Sequence, residues 1–236
     1  MNYPVLDEIR GKVLVSCQGP LVAGEPSPFW EPEHMRMFAQ AAKNAGCVGF
    51  RANTPPNVKA IKEAYPDMPM IGIYKIVEDG SDVYITPNMY AIEALRDLNC
   101  EIIALDGTNR KNARGKYAWE FIAEVKEKYP NQVLMADIAT LEDAKLSAAA
   151  GVDIIATTMC GYTENTKELK LVCNFQLLED IKREIPDKFL ICEGKIWTID
   201  DAQKAFDSGA DAIVIGTAIT NPLAITRRFV DNVKKR

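Results

Sequence analysis

Eight short apolar runs punctuate the chain: Val13 to Cys17, Cys47 to Phe50, Met70 to Tyr74, Ile102 to Leu105, Val133 to Ala136, Ile154 to Thr157, Phe189 to Cys192 and Ala212 to Ile215. Runs of this length between turn signals read as strands. Segments of helical periodicity separate them. Pro32 starts one that stops at Gly46; Thr86-Pro87 caps another, with Ile92, Leu95 and Leu98 on one face; Phe121, Ile122 and Val125 line a third. Thr140 and Asp143 resemble a capping box for the helix that ends at Gly151. Leu177, Leu178, Ile181 and Ile185 line the next helix, and Thr198 opens another with Asp200 and Asp201 in its first turn and Gly209 as its stop. Strand, helix, strand in this order implies parallel pairing.

An internal repeat supports the count. GCVGF at Gly46, NCEIIAL at Asn99, GVDIIAT at Gly151 and GADAIVI at Gly209 each lead from a Gly or Asn helix stop into a strand, at spacings of 53, 52 and 58 residues. Two βα units repeated four times would give this spacing, with these four strands the even-numbered ones. A doubly wound open sheet is the competing architecture; even spacing and eight units favour closure. The expectation is an α/β protein with one (β/α)8 TIM barrel over residues 1–236, close to the typical barrel size of about 250 residues. The long connections, Gln18 to Glu31, Ile76 to Thr86, Gly107 to Lys116 and Thr158 to Cys173, all leave the C-terminal ends of strands, where barrel active sites lie. The basic loop Gly107 to Lys116 reads as a solvated turn.

Composition narrows the chemistry. Apolar residues at 47% and charged residues at 26% allow a full core, and a net charge of −5 argues against general nucleic-acid binding. No stretch has the length of a membrane span or the layout of a secretion signal. Six cysteines lie far apart without a C-x-x-C pair, the pattern of reduced thiols in a cytoplasmic protein. The lone histidine, His34, excludes a histidine-rich metal site, so proton chemistry falls to Lys, Asp, Glu, Cys or Tyr.

The informative positions are the polar residues where strands run out: Gln18, Arg51, Lys75, Asp106, Asp137, Thr157-Thr158, Glu193 and Gly216. Lys75 follows the apolar IGIY, so its ammonium would stand over a dry core near Arg51; both effects lower a lysine pKa toward that of a working base. A permanent salt bridge to Asp106 or Asp137 is the competing reading. Glu193, desolvated beside a substrate, would shift upward and could hold a proton. Gly194-Lys195 and Gly216-Thr217 follow the last two strands, where such barrels hold a phosphate on bare amides and a helix N-terminus. Cys17 and Cys192 lack a histidine to activate them and read as buried structural thiols.

Taken together, VSCQ (15–18), VGFRAN (48–53), IGIYK (71–75), VYITP (83–87), IIALDGT (102–108), LMADIAT (134–140), TTMCGYT (157–163), EGKI (193–196) and IGTAIT (215–220) resemble the N-acetylmannosamine-6-phosphate 2-epimerase family over nearly the whole chain. The resemblance implies interconversion of N-acetylmannosamine 6-phosphate and N-acetylglucosamine 6-phosphate in sialic-acid catabolism, with no redox cofactor and no obligatory metal. It implies Lys75 and Glu193 as the proton-transfer pair and Gln18, Arg51 and Asp137 as substrate-binding residues. Two departures stand out. The family usually reads AITRP after the last strand and this chain reads AITNP, so Asn221 replaces an arginine that the resemblance implies in substrate binding; either Lys195 or Arg227 compensates or affinity is lower. The first loop, GPLVAGEPSPFW (19–30), also differs.

The reaction so implied is deprotonation at C2 of the open-chain sugar phosphate, followed by reprotonation on the other face. Lys75 is read as the base near C2 and Glu193 as donor to O1 or partner in a proton relay, roles that could be exchanged. A Schiff-base aldolase using Lys75 as nucleophile, or a sugar-phosphate sensor without turnover, remain the rival readings. The expected partner is a small sugar phosphate, with no nucleic acid and no membrane, and a homodimer is open.

Overall fold

The computed structural model describes residues 3–18, 29–169 and 172–233. Eight parallel strands close on themselves in sequence order: β1 (Val13–Cys17), β2 (Phe50–Asn53), β3 (Met70–Ile73), β4 (Ile102–Asp106), β5 (Val133–Asp137), β6 (Ile154–Ala156), β7 (Phe189–Glu193) and β8 (Ala212–Ile215). Pairing of Val13 with Ile213 and Val15 with Ile215 joins β1 to β8, which settles closure against the open sheet. Around the barrel run α1 (Pro4–Ile9), α2 (Pro32–Asn44), α3 (Pro55–Ala64), α4 (Met89–Arg96), α5 (Ala118–Lys128), α6 (Leu141–Ala149), α7 (Phe175–Glu184), α8 (Ile199–Asp207), α9 (Thr217–Thr220) and α10 (Pro222–Asn232). No helix among the described residues is long and apolar enough to cross a membrane.

Strand side chains alternate between two cores, as the pleat requires. Leu14, Ile71, Ile102, Met135, Ile191 and Val214 fill the barrel interior, whereas Val15, Phe50, Ile103, Leu134, Leu190 and Ile213 meet the helices. Ile9 of α1 is fully buried in the inner cluster, with Val5 and Leu6 packed beside it. This short helix was not among the sequence expectations, because six residues give too little periodicity to read. It stoppers the interior, so the working end lies at the opposite, C-terminal face.

The four repeat positions, Gly46, Asn99, Gly151 and Gly209, all have positive φ, between 55° and 99°. They are the left-handed helix stops expected of them, and the strands they precede are β2, β4, β6 and β8. Thr140 with Asp143, and Thr198 with Asp201, form capping boxes. Two local expectations are corrected. The second strand begins at Phe50 and not at Cys47, and the Val48 amide donates to Val13 while Gly49 passes so near Pro69 that a Cβ would lie 2.8 Å from its carbonyl oxygen. The helix after β3 is capped by Asn88, whose side chain accepts from Ala91, and not by Thr86; the Thr86 hydroxyl instead donates to the Ala104 carbonyl at 2.6 Å.

Candidate active site

Ladder alternation turns the last inward-facing residue of each strand toward the open mouth, where the strands no longer supply apolar neighbours. One buried ion cluster forms there, from Asp137 and Glu193 at the ends of β5 and β7 and from Arg51, one inward position before the end of β2. The Arg51 guanidinium, 1% exposed, reaches from β2 across the barrel and forks onto Asp137 of β5, with Nη2 to Oδ2 at 2.6 Å and Nη1 to Oδ1 at 3.0 Å. The same Nη1 donates to Glu193 Oε2 at 2.5 Å. The Thr158 hydroxyl, just past β6, donates to Asp137 Oδ1 at 2.6 Å and lies 3.4 Å from Glu193 Oε2, so it ties the two carboxylates together. A fork fits this place because guanidinium alone satisfies several carboxylate oxygens in fixed geometry.

Charge balance around the cluster decides its protonation. Burial works against the Arg51 charge, but Asp137 and Glu193 outweigh it and hold the group protonated. Burial pushes the Glu193 carboxyl up to about 7; Arg51 opposes the rise and Asp137, a like charge, adds to it. Lys75 moves the other way, down to about 8, first through burial and second through the neighbouring Arg51, while Glu193 and Asp137 pull back. Two titratable groups are thus brought to within reach of neutrality from opposite sides.

The backbone at Lys75 is pinned by groups that sequence reading did not assign. Its amide donates to Asn53 Oδ1 at 2.9 Å, and Lys75 forms an antiparallel bridge with Ile85 as the loop after β3 folds back. The permanent salt bridge considered for Lys75 does not form among the described residues: Asp137 is occupied by Arg51, and Asp106 by Arg110 at 2.5 Å. Arg110 also donates to Thr108 and to the Asp82 carbonyl, which corrects the reading of Gly107 to Lys116 as a merely solvated turn. A signal was available, since a basic loop following a strand-end aspartate can fold back on it.

The remaining expected residues divide. Gln18 is half-buried beyond β1 and donates to Ser16 at 2.7 Å, short of the ion cluster. Gly194 and Lys195 both have positive φ, 101° and 60°, the second an unusual state for a residue with a Cβ. Gly216 is the N-cap of α9 and Thr217 its first residue; a Cβ on Gly216 would lie 3.2 Å from that of Ser16. The Lys195 ammonium donates to the Cys160 carbonyl and lies 4.1 Å from the centre of the Tyr162 ring, on the β6 side of the mouth. It therefore does not reach toward β8 to stand in for an arginine at position 221. Asn221 has a different task, capping α10 through its side-chain oxygen, which accepts from Ala224 at 3.0 Å. Cys17 and Cys192 are buried on the helix side of their strands, as expected of structural thiols. Most of the first loop, residues 19–28, lies outside the described residues.

A family model described as "Putative N-acetylmannosamine-6-phosphate epimerase" matches residues 35–235. Curated relatives named as N-acetylmannosamine-6-phosphate 2-epimerases include one from Caldanaerobacter subterraneus subsp. tengcongensis, 38% identical over the whole of this chain and 97% of its own length. Another, from Listeria welshimeri, is 39% identical over the whole of this chain and 98% of its own. Among solved structures, the N-acetylmannosamine-6-phosphate 2-epimerase from Clostridium perfringens superposes with a TM-score of 0.89 at 36% identity, covering 99% of this chain and 98% of that one.

Proposed function

The chain belongs to the N-acetylmannosamine-6-phosphate 2-epimerase family, and from that premise we propose that Lys75 and Glu193 exchange the proton at C2 of an N-acetylhexosamine 6-phosphate. The reaction is C2 epimerisation of N-acetylmannosamine 6-phosphate to N-acetylglucosamine 6-phosphate, a step of sialic-acid catabolism; the enzyme is in that sense an N-acylglucosamine-6-phosphate 2-epimerase. The observation that carries the assignment is the pair of opposed shifts, Lys75 down to about 8 and Glu193 up to about 7, beside one buried arginine.

In the open-chain sugar the C2 hydrogen is acidic because the C1 aldehyde can take up the electron pair. Neutral Lys75 removes that proton and leaves an enediol-like anion. Protonated Glu193 supplies the returning proton on the side away from Lys75, and in the reverse reaction the roles exchange. Arg51, Gln18 and Asp137 hold the hydroxyls and the N-acetyl group, with Asn53 and Thr158 fixing Lys75 and the carboxylates. The phosphate is assigned to the amides at Gly194-Lys195 and Gly216-Thr217. Support comes from the consecutive positive-φ residues at the first pair and from the start of α9 at the second, where the first amides have no intrahelical acceptor.

A cytoplasmic setting and a homodimer belong to the same reading. In the single chain Phe229 and Val230 of α10 are exposed, which supports self-association, and sedimentation velocity tests it. The chemistry is tested by proton NMR of N-acetylmannosamine 6-phosphate with enzyme in heavy water. N-acetylglucosamine 6-phosphate should appear with deuterium at C2 after a single turnover. Product that retains its original C2 proton, or cleavage between carbons, would overturn the assignment.

A further inference from the structure

Cys173 and Cys192 stand with their sulfurs 3.5 Å apart. Cys192 lies on β7 directly before Glu193, its side chain among the residues that meet the helices. Cys173 directly precedes Asn174, the N-cap of α7, and is half-buried beside exposed Val172. Neither is bonded. A disulfide needs sulfurs about 2.05 Å apart, so closing the gap takes on the order of 1.5 Å of combined movement, within what a strand end and a helix start can share. The third thiol of this neighbourhood, Cys160, is occupied separately by the Asn174 side chain at 3.7 Å.

We propose that Cys173 and Cys192 are a modification site, a dithiol that closes to a reversible disulfide on exposure to hydrogen peroxide. Cys173 is the attacking sulfur. It is the more accessible of the two, and the hydrogen bond from Cys192 lowers its thiol below the ordinary value against the effect of burial, with Lys195 and Lys204 acting in the same direction and Asp201 opposing. The Cys173 thiolate, its proton given up to solvent, attacks hydrogen peroxide; the O–O bond breaks, an S–O bond forms, and the departing hydroxide takes back a proton from solvent to leave as the first water, giving a sulfenic acid. The Cys192 sulfur then displaces that oxygen; its own proton goes to the departing hydroxide, an S–S bond forms and a second water leaves. The two sulfurs together give up two electrons and the two peroxide oxygens receive them.

The site touches the catalytic end through one residue. The Thr157 hydroxyl lies 4.0 Å from the Cys192 sulfur, donates to the Glu193 carbonyl at 3.1 Å and accepts from the Glu193 amide at 3.3 Å. Drawing Cys192 toward α7 pulls on this clamp and displaces the Glu193 carboxyl. Since misplacing a catalytic group by 1 Å can cost about a hundredfold, a fraction of that movement lowers kcat by at least about tenfold. The disulfide itself does not depend on the proposed function; the change in activity rests on the proposed role of Glu193.

The full-length enzyme is treated with hydrogen peroxide under native conditions, alkylated, digested and read by mass spectrometry, with epimerase activity followed in parallel. The expected product is a cross-linked peptide pair containing Cys173 and Cys192, with kcat reduced at least about tenfold and restored by a thiol reductant. Cys173→Ser, and Cys173→Ala as a second variant, should keep the reduced enzyme's activity and lose the peroxide response. Sulfinic acids without a cross-link, or a cross-link through Cys160, would overturn the proposal. Cross-linking with unchanged kcat would overturn the coupling to Glu193. A chain that cross-links but never epimerises, even when reduced, would count against the epimerase reading and not against the disulfide.

Discussion

Replacing Arg51 by methionine separates the two duties of the buried ion cluster. The guanidinium is 1% exposed and makes three contacts of 2.5 to 3.0 Å with Asp137 and Glu193, themselves 0% and 8% exposed. Methionine fills much of the volume but leaves two carboxylates facing each other in a dry interior. Removing one partner of a buried ion pair typically costs about 3 to 5 kcal/mol. For a chain of this size that corresponds to a Tm lower by roughly 6 to 20 °C. The loss should depend on pH, and its sign follows from Glu193. Its folded pKa, about 7, already lies above the ordinary 4.5, and Arg51 is the main influence holding it down, so the variant's value rises further. A carboxyl whose folded pKa is raised favours the folded state below its unfolded pKa, and that contribution is lost as pH rises through the folded value. The variant should therefore be nearest to wild type at about pH 5 and furthest from it at about pH 8.5. Urea denaturation followed by tryptophan fluorescence at the two pH values measures this, and adding Glu193→Gln should recover part of the loss at the higher pH. A deficit below about 1 kcal/mol, as for an exposed ion pair, or one equal at both pH values, would refute the reasoning.

Three further outcomes follow from the site. Lys75→Ala and Glu193→Gln should each reduce kcat at least about a hundredfold and the double variant little more, since removal and return of the C2 proton are each of no use without the other; additive losses would count against the two acting as a unit. With neutral Lys75 increasing through about 8 and protonated Glu193 decreasing through about 7, kcat/KM should peak between these values with only about 6% of the free enzyme in the required state, and residual activity in Glu193→Gln should lose its alkaline fall. Asn221→Arg should lower stability by about 1 kcal/mol by removing the cap of α10, measured by thermal unfolding, and its effect on KM should be the same with or without Lys195→Ala, because Lys195 faces Cys160 and Tyr162.

Much of the barrel is written locally. Pattern and punctuation are enough for eight βα units, because each strand needs only a short apolar run and each helix a cap and a stop; Gly46, Asn99, Gly151 and Gly209 announce the even strands by left-handed conformations that few residues tolerate. The identity of the strand-end residues was equally legible, since polarity at the end of an apolar run is a one-dimensional signal. Which of those residues meet was not. Arg51, Asp137 and Glu193 are 86 and 142 residues apart from the arginine outward, and only closure of β1 on β8 lets one side chain span them. Asp106 resembles Asp137 at the end of an adjacent strand, yet it is drawn to Arg110 of its own loop and leaves the cluster. Nor could sequence show that Asn53 pins Lys75, that Lys195 turns to the β6 side, or that Cys173 and Cys192 come within 3.5 Å. Direction, burial and the pKa values that follow from them depend on neighbours brought in from distant strands, and distance across a barrel has no counterpart in spacing along a chain.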